Sequence, residues 1–438
     1  MIEMRQTSIG DFIEFNPREK LPINKLAKKI PMDKLGVFER KIKGFEIAEY
    51  RSGPKFRNGD TLVAKITPCL ENGKTAFVNI LESSEVAFGS SEFIVLREND
   101  FSDKMFIYYF ARSPLFREKA ISCMEGTSGR KRVNEGALKR QEILVPKNKA
   151  DQIKIASFLS ALDNKIELNN LINSEFDEMA RTIFQYWFLQ FDFPNKNGKP
   201  YKSSGGKMVW NNKLNREIPA DWEVQKMSEL LNLDKSGDWG KEEEGGNFTQ
   251  KVTCFRGADI NGLNGLNELK PPVRYILKKN SYKILKSHDL IIEISGGSPT
   301  QSTGRLAFIT DATIKRFDNP LICSNFCKPV SMKNQKLLYY FVYNWNSLYD
   351  TGVFFGYEGK TSGIKNLLFD TFTNSYYMIV PDENSVNKFY ELMDNIQEKK
   401  QTILAENQKL IELRDWLLPL LMNGQVKIKI ENKEPALT

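Results

Sequence analysis

From Asp151 to Phe193 the chain contains neither proline nor glycine, and no other stretch limits the fold so strongly. Counting by sevens from Ile155 gives Ile155, Leu162, Asn169, Phe176 and Ile183, and a neighbouring row gives Leu159, Ile166, Asn173 and Ala180. Such spacing lines up one helical face and calls for a partner helix. About forty residues at the α-helical rise make a rod of roughly 55–60 Å, longer than an ordinary globular helix.

The partner lies near the C-terminus. After Pro381 the residues Phe389, Ile396, Ile403, Leu410 and Leu417 recur every seven positions, so a second rod with an apolar seam is expected to about Leu418. Both rods carry an asparagine inside the seam, Asn169 in the first and Asn407 in the second. Buried, the two would cost stability and fix register; the plainer alternative is that they face water where the seam loosens.

The 438 residues, 41% hydrophobic and 27% charged, fit a soluble chain of two or three domains. A formal charge of +8 permits a polyanionic partner without requiring one. Five cysteines without a C-x-x-C pair argue against a disulfide framework or a zinc site and for a reducing cytoplasm. The N-terminus lacks the basic-then-apolar pattern of a secretion signal, and no apolar run is long enough to span a bilayer.

Residues 1–150 read as a mixed α/β block. Strand-like runs occur at Thr61–Ile66, Ala76–Ile80 and Glu92–Leu96, with a helix from Lys104 to about Ala120. A long helix follows at 151–190, then a Gly-, Lys- and Ser-rich stretch of linker composition at 191–215. A second block occupies 216–383, a second long helix 384–424 and a tail 425–438. The blocks repeat each other. Gly59–Ile66 matches His288–Ile294, Gly73–Val78 matches Gly304–Ile309, and EGTSGRKRV (Glu125–Val133) matches EGKTSGIKN (Glu358–Asn366). Each block closes on a strand ending in proline, Pro146 or Pro381. The expected architecture is two similar α/β domains separated by two long helices in an antiparallel coiled coil, with pseudo-twofold internal symmetry. Two like surfaces held apart by a stiff bar suit the reading of two sites along a regular polymer, or the separation of two protein partners.

Catalytic patterns are sparse. With a single histidine, His288, acid–base or metal schemes that use imidazole lack parts. Its repeat mate is Gly59, so a turn before a strand is the expected role. Phosphate-binding loops, nucleophile elbows and the Asn-Pro-Pro-aromatic pattern of adenine methyltransferases are absent.

Contact patterns are richer. Thr127, Ser128, Arg130, Lys131 and Arg132 combine hydroxyls and guanidinium forks in one glycine-containing loop, a chemistry suited to phosphates and guanine edges. The second copy offers Lys360, Thr361, Ser362 and Lys365. A further pair of candidate surfaces follows the first matched strand: Lys65, Thr67, Asn72 and Lys74 in one block, Ser295, Ser298, Gln301 and Arg305 in the other. Taken singly these are solvated loops; recurrence of the hydroxyl-bearing loop at one place in both copies points to contact, while the differing polar side chains of the second pair fit either two readers of different sequences or unselected loop drift.

The segments AKITPCLENGKTAF (Ala64–Phe77), IASFLSALDNKIELNNLIN (Ile155–Asn173), FDFPNKNGKPYKSSGGKMVW (Phe191–Trp210), IPADWEV (Ile218–Val224) and LLPLLMNGQV (Leu417–Val426) resemble the DNA-specificity subunit of type I restriction-modification systems. The resemblance extends over nearly the whole chain. It implies a non-enzymatic subunit with two target-recognition domains, each reading one half of a bipartite site in double-stranded DNA. The helices would set the spacing and dock two methyltransferase (modification) subunits, with restriction subunits adding ATP-driven translocation and cleavage. S-adenosylmethionine, ATP and magnesium would belong to those partners, and this chain would carry no cofactor. One departure is that the first block lacks a counterpart of Pro219 and Trp222; its entry is either trimmed or completed by the C-terminal tail. The rival readings are a fused DNA-modifying enzyme and a coiled-coil adaptor that does not touch DNA.

Overall fold

Runs of β-branched and aromatic residues closed by Gly, Asn or Ser become strands where a neighbouring run can take up their hydrogen bonds. The computed structural model describes residues 2–127, 130–267, 269–298, 300–361 and 364–428. It divides into two compact units: residues up to Glu167 together with those from Gln408 onward, and Leu168–Asn407.

The strands of the first unit are β1 (Met4–Ser8), β2 (Glu14–Phe15), β3 (Leu26–Ile30), β4 (Glu46–Glu49), β5 (Lys55–Phe56), β6 (Thr61–Ala64), β7 (Thr75–Phe77), β8 (Ala87–Gly89), β9 (Phe93–Arg97), β10 (Met124–Glu125), β11 (Arg132–Val133) and β12 (Glu142–Pro146). They form sheets in the orders β2-β9-β6-β7 and β4-β3-β8-β5, with β1 on β12 and β10 on β11.

The second unit has β13 (Met208–Asn211), β14 (Arg216–Pro219), β15 (Glu223–Lys226), β16 (Leu231–Asn232), β17 (Phe248–Phe255), β18 (Val273–Leu277), β19 (Leu290–Glu293), β20 (Ser295–Gly296), β21 (Leu306–Phe308), β22 (Leu321–Cys323), β23 (Cys327–Met332), β24 (Glu358–Thr361), β25 (Ile364–Leu367) and β26 (Tyr377–Val380). Its sheets run β16-β23-β19-β21, β18-β17-β22 and β20-β25-β24, with β15 on β26 and β13 on β14.

The duplication is exact enough in topology to be traced strand by strand. The buried strand β6 lies antiparallel between β7 and β9, as β19 lies between β21 and β23. Strand β3 has one antiparallel neighbour, β4, and one parallel, β8; β17 has β18 and β22 in those roles. It reaches single turns. The Asp60 carboxylate accepts the Arg57 amide at 2.8 Å and the Asp289 carboxylate accepts the Lys286 amide at 2.7 Å. The residues just before them, Gly59 and His288, have φ of +95° and +72°. The chain's one histidine thus occupies a left-handed turn position that glycine fills in the other copy.

One expected helix is two. Ser113 precedes Pro114 and is held extended at ψ 155°, so Lys104–Arg112 ends and Pro114–Ser122 begins there. The long helices are Lys149–Phe184, continued by a π-helical turn at Gln185–Leu189, and Glu383–Met422.

Each unit buries the start of one long helix and the end of the other. Ile155, Leu159, Leu418, Leu421 and Met422 enter the core of the first unit; Ala180, Phe184, Val386, Phe389 and Met393 enter that of the second. Within the second unit Asn169 meets Asn407 and Asp177 meets Lys400, an antiparallel order. The seam is not apolar as its heptads suggest. Asp163, Asn169, Asn173, Lys400, Asn407 and Arg414 are all buried, while Leu162, Ile403 and Leu410 stay half-exposed. The two amides do not face water.

The entry missing from the first block is filled by the tail. Val426 and Ile428 pack on the first unit's core, and Met4 lies so close to Gly424 (φ +68°) that a Cβ there would come within 2.8 Å of its sulfur. In the second unit Trp222 fills the equivalent role among Phe188, Phe191 and Phe193. No helix among the described residues is long and apolar enough to cross a membrane.

Candidate nucleic-acid interface

In the first unit the chain leaving β6 is stitched to the β10–β11 hairpin. The Lys65 carbonyl accepts the Val133 amide at 2.9 Å and the Thr67 amide donates to the Lys131 carbonyl at 3.0 Å. The Lys131 amide donates in turn to Thr67 Oγ1 at 3.1 Å. This brings Lys65, Thr67, Lys131 and Arg132 to one edge, with Thr127 and Arg130 exposed beside them and joined by an Arg130 N–H to Thr127 O bond of 3.2 Å. Asn72 is exposed on the adjoining turn. Lys74 turns away, its ammonium donating to the Met32 carbonyl at 3.0 Å. Ser128 lies outside the described residues.

Two carboxylates that the sequence did not single out hold this edge. Glu92 receives Arg132 Nε at 2.9 and 3.0 Å and Nη2 at 2.7 Å. The Arg132 hydrogen bond, ahead of its charge, holds the Glu92 carboxyl below the usual range despite partial burial. Glu135 receives the Asn16 amide at 2.6 Å and lies 3.5 Å from the Lys65 ammonium. Arg132 is therefore aimed by its partner and does not present its whole fork to a base.

The second unit repeats the frame with other side chains. Ser295 pairs with Asn366 and Gly296 with Lys365 between β20 and β25; Ser295 Oγ donates to Asn366 Oδ1 at 2.5 Å. Lys365 reaches Glu358 at 3.0 Å and lies 4.9 Å over the Phe355 ring. Ser298 and Gln301 close a short turn. Arg305 is consumed: its Nε and Nη2 donate to Glu293 at 2.8 and 2.6 Å, and Glu293 is buried. Lys360 and Thr361 lie on β24; Ser362 is outside the described residues.

The position of Glu92 in the frame is taken here by Phe326. The Glu92 carbonyl accepts the Lys65 amide and the Phe326 carbonyl accepts the Ile294 amide, each at 2.9 Å. Phe326 is 55% exposed. The first edge is thus ionic and exposed, and the second adds an exposed phenyl and an amide to its own Lys365–Glu358 pair, on one backbone plan. Forks and hydroxyls suit base edges and phosphates, and an exposed phenyl suits a thymine methyl group.

Residues 1–177 match the family described as the type I restriction modification DNA specificity domain. A specificity subunit of a type I restriction enzyme from Methanocaldococcus jannaschii is 25% identical over 333 residues, 74% of this chain and 69% of its own length. Another, from Haemophilus influenzae, is 22% identical over 97% of this chain and 100% of its own length. Among solved structures, the type I restriction-modification S subunit of M. genitalium shares the fold at a TM-score of 0.56, with 16% identity and 96% of each chain covered.

Proposed function

We infer that the chain belongs to the family of type I restriction-modification DNA specificity subunits. It is the non-catalytic DNA-recognition subunit of such a complex, and each α/β unit reads one half of a bipartite duplex site. The observation that carries this reading is the duplication, in which one strand plan is used twice and its exposed edges differ in chemistry between Arg132–Glu92 and Phe326–Asn366. Two readers of different sequences need that combination. The long helices set the spacing of the halves and dock two methyltransferase subunits, with restriction subunits joining the full assembly. A cytoplasmic setting is supported by five free thiols, four of them buried.

Readout falls to Lys65, Thr67, Asn72, Thr127, Arg130, Lys131 and Arg132 in the first unit and to Ser295, Ser298, Gln301 and Lys365 in the second. Phosphate contacts supply most of the affinity, which falls steeply with salt. The deciding experiment maps methylated adenines in the cell that carries the gene, before and after its deletion. Loss of methylation at a single bipartite motif supports the reading. Unchanged methylation, with the methyltransferase still co-purifying, refutes it.

A further inference from the structure

The stretch with linker composition is built as a structured platform. Between Phe193 and Arg216 the sequence carries Lys196, Lys199, Lys202, Lys207, Lys213 and Arg216 and no Asp or Glu. Phe193 is stacked between two rings, Tyr201 at 4.6 Å and 16° and Trp222 at 4.8 Å and 26°. The Asn195 side chain accepts the amides of Asn197 at 2.9 Å and Lys199 at 3.1 Å, and the Tyr201 hydroxyl donates to the Lys207 carbonyl at 2.8 Å. Gly206 is required where it stands, because a Cβ would come within 2.4 Å of the Tyr201 ring.

The Asp192 carboxylate at the base is turned inward. It accepts the Ser203 amide at 2.7 Å and hydroxyl at 2.6 Å, and those bonds hold its pKa below the ordinary value. Lys196, Lys199, Lys202 and Lys207 are exposed and form no ion pair among the described residues. Around them lie Asn197, Gly198, Ser203, Ser204 and Gly205. These small polar groups allow close approach and offer hydrogen bonds to phosphate oxygens, and the one large apolar side chain that the stretch exposes is Trp210, at 59%. The folded loop fixes the backbone positions of these lysines, which limits the chain entropy lost when they meet a row of anions.

We propose that residues 191–216 are a phosphate-binding platform that grips the DNA backbone without reading sequence. The platform rests on the DNA-recognition reading above and adds to it an anchor outside the β20–β25–β24 edge. Its cations are Lys196, Lys199, Lys202 and Lys207, and its ligand is consecutive phosphates of duplex DNA.

The test replaces all four lysines by Gln in the full-length chain, and by Arg in a second variant. Binding is measured by fluorescence anisotropy over a salt series, on a duplex carrying the cognate bipartite site and on a scrambled one. Circular dichroism and the urea midpoint check that the variants fold. The expected result is a slope of log K against log salt that is shallower by about 0.9 per lost contact, about 2–4 in all, with equal fold-loss on both duplexes. The Arg variant should restore the slope. An unchanged slope in a Gln variant that still binds the cognate duplex overturns the platform and leaves the recognition reading standing. Unchanged DNA binding with lost methyltransferase assembly overturns it in favour of an acidic protein partner. Failure of the unaltered chain to bind either duplex overturns both.

Discussion

The Asn169 side-chain amide donates to Asn407 Oδ1 at 2.8 Å and to Glu406 at 2.7 Å, while the Asn407 amide donates to Asn170 Oδ1 at 2.8 Å. Asn169 and Asn407 are buried at 1% and 5% exposure, and each donates to a side chain of the facing helix, so a shift of either helix by one turn would strand both. Asn169→Ala should cost about 1–3 kcal/mol, because it leaves a buried amide without its partner. The double variant N169L/N407L should recover most of that loss, or exceed the parent, while weakening the preference for one register. Urea unfolding of the two variants beside the parent measures the first effect. Cysteine crosslinking along the helices reads the second: a single crosslinking register in the double variant would show that the amides do not set it.

Arg130 and Arg132 belong to one edge only. Changing either to Ala should weaken recognition of one half-site, by about 1–3 kcal/mol where a bidentate base contact is lost. Binding to duplexes with one half-site scrambled at a time gives the answer. Equal loss at both half-sites would refute the assignment of one reader to each unit.

The Glu92 carboxyl titrates below the ordinary glutamate range because Arg132 donates to it. Its contribution is fully present above about pH 4.3, the ordinary glutamate value, and is lost as pH falls through the depressed native value. The hairpin edge should therefore keep its geometry at neutral pH and loosen only in acid. A carbon-detected NMR titration of the carboxyl should show the depressed value in the parent and its return toward the ordinary range in Arg132→Ala. An ordinary value in the parent would mean that the ion pair does not persist in solution.

The long helices and the duplication were legible because they depend on spacing and on an apolar frame, and both survive in a single chain. The absence of proline and glycine predicted the first helix, and the Gly59–His288 match predicted a turn that the backbone angles bear out. Partners were not legible. Asp163 and Arg414 are 251 residues apart and Arg132 and Glu92 are 40 apart, so nothing local says which cation is free. For that reason Lys74 and Arg305 read as contact candidates although each is committed inside its own unit. Composition alone also made 191–215 a linker, because the stack that folds it needs Trp222, outside the stretch.

Asp163 ties the first unit's α/β block to both long helices. Its carboxylate accepts the Tyr109 hydroxyl at 2.7 Å and Arg414 Nη1 at 2.7 Å, with Arg112 Nη1 at 3.8 Å. All four side chains are buried, and Asp415 also accepts from Arg414 Nε at 2.9 Å and from Arg112 Nη2 at 3.3 Å. The second unit keeps one link of this kind, a 2.7 Å bond from the Tyr339 hydroxyl to Asp394. Asp163→Ala leaves two buried guanidinium groups facing each other with half their counter-charge. The expected loss is about 3–5 kcal/mol, the cost of breaking a buried pair from one side. Asp163→Asn keeps the shape and an acceptor oxygen but not the charge, and should lose nearly as much. By contrast, replacing Tyr109 with Phe removes one hydrogen bond from a group that keeps its cations, and should cost only about 0.5–1.5 kcal/mol. Thermal and urea unfolding of the three variants separates the charge from the bond: if Asp163→Asn unfolds with the parent, the junction is held by packing and the ionic cluster contributes no net stability.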